Sequence, residues 1–154
     1  VALRAEKLEE FRARLNEYAK QRLTPEDFRP HMEVDGELEF SEVNDASVDE
    51  VLSLAPFGAG NPYPQFVVRN VEVCDAPTIV KEKHLRVRLR QGARTLFLKA
   101  WNFAERAEML IPGTRIDAVI YFEEDSYAKA RGYPPWGVLL KDIRPAERAP
   151  ASPE

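Results

Sequence analysis

The chain has 154 residues, of which 44% are hydrophobic and 31% are charged, and its net charge is −4. Its length suits one ordinary domain, or a small domain with an appendage, and no apolar run reaches the roughly 18–20 residues that a membrane span needs. The single cysteine, Cys74, excludes an internal disulfide and a multi-cysteine zinc site, and the charged N-terminus shows no secretory signal, so we expect a soluble, cytoplasmic protein without a membrane partner.

The first elements along the chain are predicted to be helices and short strands. Apolar side chains recur every three to five residues over 3–21, which predicts an amphipathic helix. Alternation over 31–40 predicts one or two short strands. A second helix is predicted over 46–54, with Asp45 or Ser47 as its N-cap.

Residues 56–66, PFGAGNPYPQF, contain three prolines and two glycines. Regular secondary structure does not survive that density, because proline fixes φ and removes a hydrogen-bond donor while glycine allows positive φ. We therefore predict a rigid, irregular connector at 56–66, which separates residues 1–55 from a C-terminal domain over 67–146.

The region after the connector has a β pattern. The predicted elements are strands over 66–73, 84–91, 94–101, 115–124 and 136–145, a short helix over 102–113, and a polar loop over 126–135. Three strands, a helix and two strands is the order of the OB fold. We predict an α+β chain whose C-terminal part is a five-stranded OB-fold β-barrel, followed by a disordered tail over 147–154.

Charge is unevenly distributed. Residues 1–65 hold 7 Lys/Arg and 14 Asp/Glu, a net charge of −7, whereas residues 66–154 hold 15 and 12, a net charge of +3. An acidic part joined to a mildly basic part suggests two units with different partners.

The strongest functional feature is a predicted basic and aromatic sheet face. Side chains alternate along a strand, so Leu85, Val87 and Leu89 take one face of the strand over 84–91 and the arginines take the other. Across a hairpin, this second face continues onto the next strand, and phosphates would neutralise its charge while exposed rings stack on bases. The loop over 126–135 is also basic and aromatic. The candidate nucleic-acid contacts are Arg86, Arg88, Arg90, Phe97, Lys99, Trp101, Lys129, Arg131 and Tyr133.

A structural interpretation stays open beside the functional one. The arginine row is then a solvated face paired with acids such as Glu72 or Glu123, and Trp101 and Trp136 pack under the N-terminal region. For catalysis and metal binding we predict no residues, because the two histidines, His31 and His84, are far apart and have no ligand-type neighbours.

The segment LAPFGAGNPYPQF, residues 54–66, resembles the Leu-x-Pro-Phe-Gly-x-Gly-Asn-Pro-x-Pro-x-Phe stretch of bacterial RecJ exonucleases, which joins their DHH-associated domain to their OB domain. The resemblance covers roughly residues 6–146. The connector residues that we predict to be structural are Pro56, Phe57, Gly58, Gly60, Asn61, Pro62 and Pro64. The Asn61 side chain is expected to hydrogen-bond the local backbone.

The resemblance implies the C-terminal part of a single-strand-specific exonuclease, with residues 1–55 as the end of the DHH-associated domain. The family cuts single-stranded DNA from the 5′ end, in repair and recombination, with Mn²⁺ or Mg²⁺ held by motifs of an upstream domain. No Asp-His-His or Gly-Gly-His run occurs here. We therefore expect no catalytic residue, no cofactor and no enzyme activity in this chain alone.

Two functions stay open for a chain of this kind. The first is a single-stranded DNA-binding region that serves the upstream nuclease core. The second is a docking module that packs on that core or on a repair protein. The expected partners are accordingly single-stranded DNA, the nuclease core and repair proteins.

Overall fold

The structure is a computed structural model, and it describes residues 4–146. Two compact units are present, one ending at Met32 and the other beginning at Glu33. The predicted disordered tail over 147–154 lies outside the described residues.

The first unit is helical. It contains a 3-10 turn at Ala5–Lys7, helix α1 at Leu8–Arg22 and a 3-10 turn at Pro25–Phe28. The predicted helix is therefore present, although its first described turn is 3-10 and Leu3 is not among the described residues. The backbone is already extended at Leu23, and Thr24 caps the next turn, since its backbone N–H donates to the Asp27 carboxylate at 2.6 Å. The apolar stripe of α1 is exposed at Leu8, Phe11, Leu15 and Tyr18.

The second unit contains the strands. Within the described residues these are β1 (Gly36–Glu37), β2 (Phe66–Val73), β3 (Thr78–Val80), β4 (His84–Gln91), β5 (Arg94–Ala100), β6 (Arg115–Glu124) and β7 (Trp136–Pro145). The helical elements of this unit are a 3-10 turn at Phe40–Glu42, α2 at Asp45–Leu52, a 3-10 turn at Ala104–Met109 and α3 at Ser126–Lys129.

Five of the strands form a closed ring. The sheet order is β1-β2-β6-β7-β5-β4-β3, and an additional pairing joins β2 to β4. The pairing of β5 with β7 is parallel, and the other neighbours in the ring are antiparallel. Three strands, a helical turn and two strands follow one another around this ring, as the sequence predicts. The short β1 and β3 lie outside the ring, on β2 and β4.

The core lies inside the ring. Alternate residues of each strand point inward, for example Leu85, Val87 and Leu89 of β4. The elements before the connector contribute to the same core, because Phe40 and Val48 are fully buried and belong to the same apolar cluster. Residues 33–55 therefore pack in one unit with the strands, although the sequence suggests a boundary at 56–66. Their assignment to the end of a DHH-associated domain stays a prediction.

Three elements differ locally from the prediction. The N-cap of α2 is Asn44 rather than Asp45 or Ser47: the Asn44 carboxamide accepts from the Ser47 N–H at 3.2 Å, and the Ser47 hydroxyl accepts from the Asn44 N–H at 3.1 Å. The helix predicted over 102–113 is reduced to one 3-10 segment, and the polar loop over 126–135 contains α3.

Candidate nucleic-acid interface

The candidate face is built on the β4–β5 hairpin. Gln91 pairs with Arg94, so Gly92 and Ala93 form a two-residue turn. Gly92 has a φ of +57°, which a two-residue hairpin turn requires at its first position and which glycine adopts without a Cβ clash. This turn fixes the register, and a shift of one residue would exchange the two faces of the hairpin.

The predicted residues of the hairpin do share its outer face. Arg86 lies opposite Lys99, and Arg88 lies opposite Phe97. The Arg88 guanidinium is 5.8 Å from the centre of the Phe97 ring, which is 74% exposed. Trp101, just after β5, is 49% exposed and meets His84 edge-on. The face therefore presents two exposed rings beside a row of cations.

Most of these cations are paired with acids of the same chain. Arg88 contacts the Asp75 carboxylate. A hydrogen bond of 2.7 Å from Arg90 holds the pKa of Glu72 below its ordinary range. The Lys99 ammonium lies 2.6 Å from Asp125. Part of the structural interpretation is therefore observed, because Glu72, one of the acids that it names, pairs with the arginine row. The other two acids, Asp75 and Asp125, were not indicated by the sequence.

Arg86 differs from the rest of the row. Its side chain is exposed, and within residues 4–146 it makes no ion pair or side-chain hydrogen bond. It lies between Lys99 of β5 and Thr78 of β3 on the outer face. Arg86 is therefore the cation of this face that is most available to a phosphate.

The β6–β7 connection borders the face on one side. Asp125 caps α3 through the Ala128 N–H at 2.8 Å, so its contact with Lys99 ties the start of the connection to β5. These hydrogen bonds lower the pKa of Asp125, that from Lys99 most of all. Further along, the Arg131 guanidinium lies 4.3 Å from the Tyr127 ring centre.

The remaining loop candidates are not tied to the hairpin by side-chain contacts. Tyr133 and Lys129 are exposed, but no side-chain hydrogen bond or ion pair in the described part of the chain links Lys129, Arg131 or Tyr133 to β4 or β5. Trp136 faces elsewhere, because its indole N–H donates to Asp45 at 3.0 Å and its ring meets Phe122 edge-on. It packs against the helical part before the connector, as the structural interpretation expects of this residue.

The connector is held by the hydrogen bonds expected of Asn61. Its side-chain amide donates to the carbonyl oxygens of Leu54, at 3.0 Å, and Pro56, at 2.9 Å. Backbone hydrogen bonds between Gly58 and Asn61 close the loop, and the Ala55–Pro56 peptide bond is cis. Phe57 packs against Tyr63 with ring centres 4.3 Å apart.

Asp117 is an important residue that the sequence did not reveal. It is 4% exposed on the outer face of β6. Its carboxylate accepts from Arg69 and Arg144, each at 3.1 Å, and from the Asn70 backbone N–H at 3.0 Å. Asn70 has a φ of +53° at a bulge in β2, so Asp117 fixes the backbone where the strand changes register. From the sequence alone, an acidic residue within a strand indicates only a solvent-facing position, which is why Asp117 was not singled out.

Neither a cluster of metal-binding side chains nor a membrane-spanning helix is found among the described residues. Residues 4–146 contain no group of three or more His, Cys, Asp and Glu side chains arranged to hold a metal ion. In the same range, every helix is too short or too polar to cross a bilayer.

The order and pairing of the five ring strands, with the basic and aromatic face on the second and third of them, define an OB-type domain. A model of the family described as the RecJ OB domain matches residues 34–133. The chain belongs to this family. The expected family is thereby confirmed for the OB domain, and residues 34–55, which precede the connector, lie within the matched range.

The chain is similar to a curated protein and to a number of solved structures. The single-stranded-DNA-specific exonuclease RecJ of Bacillus subtilis (strain 168) is 36% identical over 120 residues, which cover 77% of this chain and 15% of that protein. The chain thus spans about 15% of the length of this relative. A replication protein A heterotrimer bound to ssDNA aligns over 54% of this chain and 57% of its own, with 10% identity and a TM-score of 0.39. A putative aspartyl-tRNA synthetase from Leishmania major Friedlin aligns over 85% and 25%, with 10% identity and a TM-score of 0.46.

Proposed function

We propose that the chain is the single-stranded DNA-binding region of a RecJ-like exonuclease and that it binds DNA on the outer face of β4 and β5. The main support is Arg86, an exposed cation without an acidic partner among residues 4–146, on the same face as the exposed rings of Phe97 and Trp101. Cations that track phosphates, together with rings that stack on bases, are the usual elements of single-strand binding. Membership of the RecJ OB domain family and the name of the Bacillus subtilis relative agree with this proposal.

The proposal extends to the whole protein by analogy. Hydrolysis from the 5′ end, with Mn²⁺ or Mg²⁺, is assigned to a catalytic domain outside this chain, and the role in DNA repair and recombination follows that of the family. Residues 4–146 contain no group of three or more His, Cys, Asp and Glu side chains that could hold the metal ion of such a reaction. On this proposal the chain holds DNA for the nuclease core and has no activity alone.

The ion pairs of the arginine row bear on one alternative function, the docking module. Arg88, Arg90 and Lys99 already face Asp75, Glu72 and Asp125. These pairs show that the row accepts carboxylates, as it would in a docking module that contacts acids of the nuclease core or of a repair protein. Phosphates have to compete with three carboxylates, so we assign the largest contribution to Arg86 and the two rings.

The test is fluorescence anisotropy of a labelled single-stranded oligonucleotide, compared with duplex DNA over a salt series. We expect single strands to bind more tightly, with log K falling by about 0.7 per phosphate contact for each unit of log salt. Arg86→Ala should weaken binding several-fold and reduce that slope by about 0.7. Lys20→Ala, which removes an exposed cation from α1, is the matched control. Equal affinity of Arg86→Ala and wild type at low salt would refute the assignment of this face.

A further inference from the structure

A second feature of the OB domain lies beside the candidate face. An open groove of about 440 Å³ runs between the connector and the outer side of β6 and β7. Its walls include Phe57, Tyr63, Trp101, Tyr121, Glu123 and Lys141. The volume falls in the range of about 300–1,000 Å³ that is typical of small-molecule sites. None of the candidate DNA contacts except Trp101 lines it.

The aromatic wall of the groove is fixed by packing. Phe57 and Tyr63 of the connector have ring centres 4.3 Å apart, and Tyr63 and Tyr121 have ring centres 5.6 Å apart. The hydrogen bonds of Asn61 anchor the connector beneath these rings. An aromatic surface held in this way loses little side-chain entropy when a flat ligand stacks on it.

The polar part of the groove has unused hydrogen-bonding capacity. Glu123 makes no side-chain hydrogen bond or ion pair with the described residues. Burial raises its pKa, the Lys99 ammonium opposes that rise, and the Asp125 charge adds to it. A partly buried carboxylate without donors is costly, and a ligand with N–H groups relieves that cost. The Lys141 ammonium, also without an ion-pair partner among residues 4–146, supplies a donor.

Trp101 connects the groove to the basic face. It lines the groove, and it lies two residues beyond Lys99, just after the strand that carries Phe97. A DNA strand bound along β4 and β5 that passes Trp101 can place its next base in the groove. The inference therefore rests on the proposed function, and it concerns a part of the surface that the proposed function does not use.

Guanine is the base whose hydrogen-bonding edge fits the Glu123 carboxylate. Its Watson–Crick edge carries two adjacent N–H donors, so one carboxylate can accept from both. Adenine, cytosine and thymine each present a donor beside an acceptor and offer no such pair. We propose that the groove binds one guanine base of the DNA strand, stacked on the aromatic wall with Glu123 accepting from its N–H groups.

The test uses oligonucleotides of thymidine that carry one guanine at successive positions, with affinity measured by anisotropy at fixed salt. At one position we expect guanine to raise the affinity about 5- to 100-fold over the all-thymidine strand. Inosine at that position lacks the exocyclic amine and should lose most of the gain. Glu123→Gln should abolish the preference and leave binding of the all-thymidine strand unchanged. Glu124→Gln, which changes the neighbouring acid outside the groove, should keep the preference.

Each contrary outcome has a distinct meaning. If the all-thymidine strand binds but guanine adds nothing at any position, or if Glu123→Gln keeps the preference, the guanine site is wrong and the proposed function stands. Tyr63→Ala that weakens all strands equally would show a stacking surface without base selection, which also overturns the guanine site. Absence of binding to any of the oligonucleotides overturns both proposals.

Discussion

The Lys99 ammonium of β5 lies 2.6 Å from the Oδ2 of Asp125, while the other oxygen of that carboxylate accepts from the Ala128 N–H in the first turn of α3. One side chain thus joins the candidate face to the β6–β7 connection and caps the helix within it. Gly137 lies beside this contact, since a Cβ at that position would be 3.7 Å from the Lys99 ammonium, an ordinary van der Waals distance.

Asp125→Asn keeps the cap and removes the charge, because asparagine is an equally good N-cap. We expect the free energy of unfolding to fall by about 1 kcal/mol at pH 7. The folded-state pKa of Asp125 lies below its ordinary value of 3.8. Its stabilising effect is therefore complete above that pH and is lost as the pH falls through the lower folded-state pKa. Urea denaturation of both proteins between pH 2 and pH 7 measures this; a difference that grows on acidification contradicts it.

Asp117→Ala is predicted to be the most destabilising of the single changes considered. It leaves Arg69, Arg144 and the Asn70 N–H without their shared buried acceptor. We expect a loss of about 2–4 kcal/mol in the free energy of unfolding, measured by urea denaturation. Asp75→Ala, which removes an exposed partner of Arg88, should cost less than about 1 kcal/mol. Similar losses for the two variants would show that Asp117 does not fix the bulge.

Asn61→Ala removes two hydrogen bonds that hold the connector. Both lie at the surface, where water partly replaces them, so we expect a loss of about 0.5–2 kcal/mol, measured by thermal unfolding. Ser41→Ala, with one long hydrogen bond of 3.3 Å, is the control and should have almost no effect. A connector that needs no such anchoring would tolerate both changes equally.

Phe97→Ala and Trp101→Ala test the rings of the proposed DNA-binding face. Each should weaken single-strand binding by about 1–3 kcal/mol, because a base loses its stacking partner. Folding should be little affected by the change at Phe97, since that ring is 74% exposed. Ile79→Ala, which removes an exposed apolar residue from β3, is the control in the same anisotropy assay. An unchanged affinity for both ring variants would favour the docking alternative.

The alternation of β4 and β5 predicted both faces of the hairpin because alternation directly reports which side chains are buried. The acids that pair with the arginine row were harder to predict, since Asp125 approaches Lys99 only through the parallel pairing of β5 with β7. The three-residue β3 was missed because so short a segment carries no periodic signal.

The groove could be identified only from the tertiary structure. Phe57, Tyr63 and Tyr121 come from the connector and from a distant strand, and nothing in their spacing indicates that the rings meet. Asn61 was predictable because its hydrogen bonds are local, whereas Asp117 combines donors from two other strands. Contacts between residues distant in sequence are thus what the sequence pattern did not reveal.

The ring consists of two groups of antiparallel strands, β2–β6–β7 and β4–β5, which are joined along two short seams, β2–β4 and β5–β7. Only two register pairs join β2 to β4, and only two join β5 to β7. The Arg90–Glu72 ion pair crosses the first seam, and Lys99, held by Asp125, stands at the second. A ligand that draws Arg90 or Lys99 away from its carboxylate therefore also removes an ion pair at a seam. Ligand binding on the face and the stability of the strand pairing at the seams thus depend on the same two ion pairs, Arg90–Glu72 and Lys99–Asp125.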